Sequence, residues 1–357
     1  MNNRVKEFFL LQFSSVIYWV LAFIFFTTIR YNGLEEELKI FTDDVLYLPI
    51  RAYFEFAILV GAIMGFVYAI IEFLFDIYIS KKLILGATIL IKSIIYFVLI
   101  VILLSSISFL IEDSIDIDLP NERGWWREDP FFWNTVIFFI ISSVVFSLIR
   151  IANDKFGRGV FLNMLLGKYK KPKEEKRVLM FLDLKDSTKI AEHLGHEKYS
   201  RFIQDCFKDL NNLLRKYEAE VYQYVGDEAV INWTEKRGFK NNNCTKLFFA
   251  FQKSLLEKSQ YYQSEYEHTP VFKAGVHFGT IMIAEVGTVK KELAFHGDVI
   301  NSASRIQGLC KNYNASLIIS KTVLAKLNSN LINYEEIDED VTLKGKQKKL
   351  KVYIINA

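Results

Sequence analysis

The run Val178-Leu179-Met180-Phe181-Leu182-Asp183-Leu184-Lys185-Asp186-Ser187-Thr188 decides the reading of the C-terminal half. Its short apolar opening reads as a buried strand ending at Asp183. Helical periodicity follows from Ser187 to about Glu218. A carboxylate thus stands at a strand end beside a helix N-terminus, whose free N–H groups suit phosphate. The plainer reading is an ordinary cap supplied by Asp186 or Ser187, and the two are compatible.

Downstream, Glu220–Val225 and Glu228–Trp233 read as strands around a Gly226-Asp227 turn, a hairpin signal. A long helix fits Cys244–Tyr266. Strands fit Phe272–His277 and Ile281–Val286, separated by Gly279. A helix from Asp298 to about Tyr313 is followed by strands at Ser316–Ile319 and within Val341–Ile355. Interleaved strands and helices make this an α/β or α+β domain. If the strands ending at Asp183 and Asp227 are neighbours, both carboxylates leave one sheet edge. Paired carboxylates suit Mg²⁺, a hard cation that takes oxygen ligands. Two such ions activate an attacking oxygen and stabilise a leaving one. Either aspartate alone reads as a solvated turn residue. In Gly297-Asp298-Val299-Ile300-Asn301-Ser302-Ala303-Ser304-Arg305, Asn301 and Arg305 lie four apart on one helix face. An Asn there orients a sugar and an Arg holds developing phosphate charge; alone, the pair reads as solvated.

Upstream the composition changes. Hydrophobic residues make up 51% of the 357, and the long apolar runs lie before Ile151. Four segments, Phe8–Ile29, Tyr53–Tyr78, Leu83–Ile111 and Phe131–Ile151, are long enough to span a bilayer as helices. Arg4, Lys6, Lys81, Lys82, Arg150, Lys155 and Arg158 flank one side. Acidic loops containing Glu35, Glu36, Glu37, Asp43, Asp44 and Glu112, Asp113, Asp116, Asp118 occupy the other. The positive-inside rule then places both termini in the cytoplasm of an integral membrane protein. Trp125, Trp126 and Trp133 mark the outer interface. Glu72 and Lys92 fall at similar depths on helices joined by a tight turn, so a buried ion pair competes with separate snorkelling.

This gives a membrane domain at 1–152, a linker at 153–176 with an apolar helical face (Phe161, Leu162, Met164, Leu165), and a soluble domain at 177–357. Net charge is +3, so nothing global argues for nucleic acid. Lys168, Lys170, Lys171 and Lys173 read as a juxtamembrane basic cluster. Cys206, Cys244 and Cys310 have no metal-ligand spacing and read as buried, reduced thiols.

Taken in order, the Asp183 turn, the Gly226-Asp227 hairpin and the Asn301/Arg305 helix resemble the class III nucleotidyl cyclase catalytic domain, from about Arg177 onward. The resemblance implies a ferredoxin-like βαββαβ core and two Mg²⁺ or Mn²⁺ ions per site, held by Asp183, Asp227 and the Leu184 carbonyl. It implies Ser187 and Thr188 beside the substrate phosphates, Asn301 and Arg305 as catalytic residues, and Lys344 or Lys346 on phosphate. It implies a head-to-tail homodimer whose sites draw on both chains, and cyclisation of a nucleoside triphosphate, ATP favoured, to a 3′,5′-cyclic monophosphate and pyrophosphate.

The sequence departs from the family at the base-reading positions. A Lys (adenylyl) or Glu (guanylyl) is usual where Gln223 stands, and a polar or acidic partner where Ala294 stands. A Gln amide both donates and accepts, so a guanylate or pyrimidine cyclase stays open. So does a non-catalytic scaffold, although the aspartates, Asn301 and Arg305 are intact. Gly226-Asp227-Glu228 also echoes a diguanylate cyclase signature, but Val225 and Ala229 flank it and the Asn301/Arg305 helix does not belong there.

Overall fold

The computed structural model describes residues 3–41, 50–78, 85–115, 130–156, 160–328, 333–337, 341–342 and 349–356. The chain divides into two compact units, Met1–Lys155 and Phe156–Ala357.

The first unit is helical: α1 (Asn3–Phe41), α2 (Ile50–Tyr78), α3 (Leu85–Ile115) and α4 (Pro130–Phe156). Three stretches, Phe8–Arg30, Phe54–Phe75 and Phe132–Asn153, are long and apolar enough to cross a membrane. The third of the four expected spans is shorter among the described residues, its apolar stretch being Gly86–Leu99 on α3. Without water, lipid-exposed backbone must bond to itself, and only the helix achieves this within one segment. The core is aromatic. Trp19 stacks on Phe139 at 4.8 Å and Tyr68 on Tyr96 at 4.1 Å between ring centroids. Helices α1 and α2 meet backbone to backbone: a Cβ on Gly61 would lie 2.7 Å from Val20 Cα, and one on Gly65 2.5 Å from Val16 Cα. Glu72 is buried and accepts from Lys92 Nζ at 2.6 Å, from the Tyr96 hydroxyl at 2.8 Å and from Arg150. The ion-pair reading of Glu72 and Lys92 therefore holds, with α4 as a third party that the sequence reading lacked.

The second unit begins with α5 (Val160–Leu165). Its strands are β1 (Lys173–Leu184), β2 (Glu220–Val225), β3 (Glu228–Thr234), β4 (Phe272–Val286), β5 (Glu292–His296), β6 (Leu317–Ser320), β7 (Asn333–Glu336), β8 (Val341–Thr342), β9 (Lys349–Leu350) and β10 (Val352–Asn356). Its remaining helices are α6 (Ser187–Leu214), α7 (Glu235–Phe239), α8 (Asn243–Glu257), α9 (Ser259–Tyr266), α10 (Asp298–Asn312) and α11 (Lys321–Leu324). The main sheet runs β2-β3-β1-β4-β6-β10-β7, with β5 on β4. Its β1-α6-β2-β3-α8-β4 portion has the expected βαββαβ connectivity. Alternate residues of β1 serve two layers. Val178, Met180 and Leu182 pack with Phe202, Cys206, Phe248 and Phe251 of α6 and α8. Leu179 and Phe181 pack with Val299 and Ala303 of α10.

Several boundaries differ from the sequence reading. Strand β1 starts inside the polar Lys173-Glu174-Glu175-Lys176 run, because pairing with Ile283 to Thr280 of β4 satisfies its backbone whatever its side chains. Tyr169 is already buried, and its carbonyl accepts from Glu285 N at 3.0 Å, so the domain begins before Arg177. Helix α8 stops at Glu257, and Lys258 leaves the helical region (φ −98°, ψ 12°) before α9.

Candidate active site

Strand β1 pairs antiparallel with both β3 and β4, setting Asp183 opposite Glu228 on one side and Lys273 on the other. The β2–β3 hairpin closes with Val225 facing Glu228, leaving Gly226 and Asp227 as a two-residue loop. Gly226 has φ 62°, a conformation that costs glycine little. Strands β1 and β3 are neighbours, the condition the sequence reading set for Asp183 and Asp227 to leave one edge.

The two carboxylates feel each other. Burial, then the Asp227 charge, push the Asp183 carboxyl above its ordinary range. Gln307 Nε2 of α10 opposes this by donating to Asp183 Oδ2 at 3.2 Å. Glu228 is raised too, by burial and then by Asp183 and Asp227. Asp227 Oδ2 is buried and has no hydrogen-bond partner among the described residues. A pair of crowded carboxylates with an unmatched oxygen suits a hard divalent cation. Among the described residues no three His, Cys, Asp or Glu side chains gather into a metal cage.

Leu184 ends β1 opposite Phe272, with its N–H beside the Asp183 carboxyl. The cap of α6 is Asp186, at φ 57°, and its side chain makes no capping bond, which corrects the capping expectation at this residue. Thr188 is exposed and Ser187 partly so. Ser187 hydrogen-bonds Tyr199, whose hydroxyl burial and Asp227 push up to about 12.

A second group of expected residues gathers elsewhere in the same domain. The β2–β3 ladder slips between Val221 and Gln223, so Tyr222 is the bulged residue. Its ring stacks on Phe295 of β5 at 4.0 Å and 15°, and its hydroxyl accepts from Phe295 N at 3.1 Å. Gln223 follows Tyr222 in sequence and Ala294 precedes Phe295, so the stack joins the two strands that carry them. Asn301 and Arg305 follow on α10, whose Val299 and Ile300 join the same apolar cluster. Among the described residues neither Asn301 nor Arg305 hydrogen-bonds or ion-pairs with Asp183 or Asp227. Lys344 and Lys346 lie outside the described residues.

Helix α10 carries Asn301, Arg305 and Gln307. It crosses β4 where two glycines admit it: Gly279 beneath Val299, where a Cβ would lie 2.6 Å from Val299 Cγ2, and Gly275 beneath Gln307. Gly279 faces Arg177 in β1 and Gly275 faces Phe181, so α10 runs toward the Asp183 end. Asn301 lies six residues, or about 9 Å of helix, back from Gln307. The sequence reading missed Gln307; its only signal was a position two residues past Arg305. The reading also broke a strand at Gly279, where β4 in fact continues.

The family model for the adenylate and guanylate cyclase catalytic domain matches residues 169–357. The chain is 30% identical over 225 residues to Adenylate cyclase 2 of Rhizobium meliloti (strain 1021), spanning 63% of this chain and 62% of that protein. It is 24% identical over 186 residues to an adenylate cyclase of Anabaena cylindrica, spanning 50% of this chain and 36% of that one. A solved bacterial light-regulated adenylyl cyclase shares the fold, with a TM-score of 0.54 and 16% identity over 68% of this chain and 72% of that one. A βαββαβ core, two aspartates at one edge and an Asn/Arg helix over β4 therefore coincide with a family match that starts at the buried Tyr169: the chain belongs to the adenylate and guanylate cyclase catalytic domain family.

Proposed function

We propose that the chain is a membrane-anchored adenylate cyclase that works as a homodimer, with its catalytic half in the cytoplasm. The observation that carries this is the crowded Asp183/Asp227 pair with its unmatched buried oxygen. The names of the matching relatives favour ATP over other triphosphates. The chain spans about two-thirds or less of those relatives.

In this reading Asp183, Asp227 and the Leu184 carbonyl hold two Mg²⁺ or Mn²⁺ ions, which supply charge neutralisation and activation of the attacking oxygen. Ser187 and Thr188 receive the phosphates at the start of α6, with Lys344 or Lys346. Gln223 and Ala294 face the base. Asn301 orients the ribose, and Arg305 meets the charge that grows on the α-phosphate. The ribose 3′-oxygen bonds to the α-phosphorus, the bond to the β-phosphate bridging oxygen breaks, and pyrophosphate leaves. Among the described residues neither Asn301 nor Arg305 hydrogen-bonds or ion-pairs with the aspartates of its own chain, and in this reading a second copy turned head to tail supplies them.

The test is to incubate the detergent-purified chain with each of the four ribonucleoside triphosphates and Mg²⁺ or Mn²⁺, beside Asp227→Ala. Cyclic AMP from the parent and none from the variant is the expected result. A cyclic monophosphate of another base would move the assignment to a guanylate or pyrimidine cyclase. A cyclic dinucleotide from GTP would replace it with the diguanylate reading. No product from folded dimer would leave the scaffold reading.

A further inference from the structure

We infer that Gln307 is a positioning residue for the metal-binding carboxylate: clamped to β4 at Gly275, its amide fixes the rotation of Asp183 and thereby sets the affinity of the site for a divalent cation. This rests on the metal role proposed for Asp183.

Three observations carry it. Gln307 Nε2 donates to Asp183 Oδ2 at 3.2 Å across a sequence separation of 124 residues, so the bond is tertiary. The helix backbone at this point lies as close to the strand as a glycine allows. A Cβ on Gly275 would lie 2.2 Å from Gln307 N and 2.6 Å from its Cα, so α10 sits directly on the strand. Gly275 is the register partner of Phe181, two residues before Asp183, so the clamp lies one pleat from the carboxylate it serves. The flanking residues anchor the same turn: Ala303, Ile306 and Cys310 are fully buried.

The chemistry follows from what Asp183 faces. Its register neighbours are Glu228 and Lys273, and the nearby charge it feels most is that of Asp227. A carboxyl beside a like charge turns away from it unless something ties it. The Gln307 amide is neutral, so it restrains the group without competing for its charge. Outer-sphere hydrogen bonds of this kind orient metal ligands, and their loss typically weakens metal binding 10- to 100-fold.

The experiment uses the full-length chain in detergent, with Gln307→Met, which keeps length and bulk but has no donor. Gln307→Asn, which keeps the amide but falls one methylene short, guards against a folding failure of the first. Melting temperature is followed against Mn²⁺ concentration, with melts in EDTA as the baseline. Cyclase activity is followed against Mn²⁺ in parallel. The expected result is a shift of roughly 10-fold or more in the Mn²⁺ concentration at half-maximal stabilisation for both variants. The activity curve should shift by the same factor, with the rate at saturating Mn²⁺ changed far less. Unmoved Mn²⁺ midpoints in folded variants, with only a lower melting temperature in EDTA, would make Gln307 a packing residue and overturn the inference while leaving the proposed function standing. A parent protein that Mn²⁺ does not stabilise at all would overturn both.

Discussion

Between Glu228 and Lys273, the Asp183 carboxyl is half withdrawn from water and shares its surroundings with Asp227. Its raised pKa means that the folded chain binds the proton more tightly than the unfolded chain. Stability of the metal-free protein therefore falls as pH climbs from the ordinary aspartate value, about 3.9, through the raised folded value, and the cost persists at neutral pH. Asp183→Asn should accordingly melt higher than the parent in EDTA at pH 7.5. Each kcal/mol of relieved repulsion is worth roughly 2–4 °C. The gain should vanish toward pH 3.5, and Mn²⁺ should no longer stabilise the variant. A variant that melts lower than the parent at pH 7.5 would show the carboxylate to be structurally needed. The two aspartates were legible because each ends an apolar strand at a turn. Gln307 was not, since a glutamine on a helix carries no local mark, and its partner lies 124 residues away.

Helix α10 and strand β4 are built for each other. Gly275→Ala places a methyl 2.2 Å from a backbone nitrogen that has no rotamer to escape into. Overpacking of this kind costs about 1–3 kcal/mol or more. We expect Gly275→Ala to lower the melting temperature and to weaken Mn²⁺ stabilisation as Gln307→Met does. Unchanged melting would mean that α10 can lift off the sheet freely. Sequence reading treated Gly279 as a break because an isolated glycine in a strand pattern signals a turn or a close approach. The second alternative won here, and only the packing of Val299 reveals it. In the N-terminal helical unit the balance is electrostatic. Glu72→Ala leaves Lys92 and Arg150 in the bundle without their shared carboxylate. Removing one member of a buried ion pair costs about 3–5 kcal/mol. The variant should aggregate at markedly lower temperature in detergent, whereas unchanged thermal behaviour would assign the triad no structural weight. Equal depths of Glu72 and Lys92 were readable from residue counts. Arg150 was not, because it sat with the flanking cations that set orientation.

At the level of the whole chain, the proposed head-to-tail dimer predicts complementation. Asp227→Ala and Arg305→Ala should each be inactive alone. Mixed and allowed to exchange, they should regain about a quarter of parental activity, since half the random dimers carry one intact site of two. No recovery between exchanging subunits would rule out the shared site. The division into an apolar helical half and a mixed α/β half was plain in the sequence because composition changes at that boundary. The domain edge was less plain: Tyr169 joins the core from within a basic run whose charges gave it no apolar signature. The three cysteines add a practical consequence. All are free and buried, one each on α6, α8 and α10, and burial pushes the Cys244 and Cys310 thiols up to about 12. Cys206 and Cys244 lie in the layer beneath α6 and α8, while Cys310 lies in the other. Alkylation is therefore a clock for the opening of each layer. Mass-resolved labelling of an otherwise untouched chain would tell which side of the sheet breathes first, with no engineered probe.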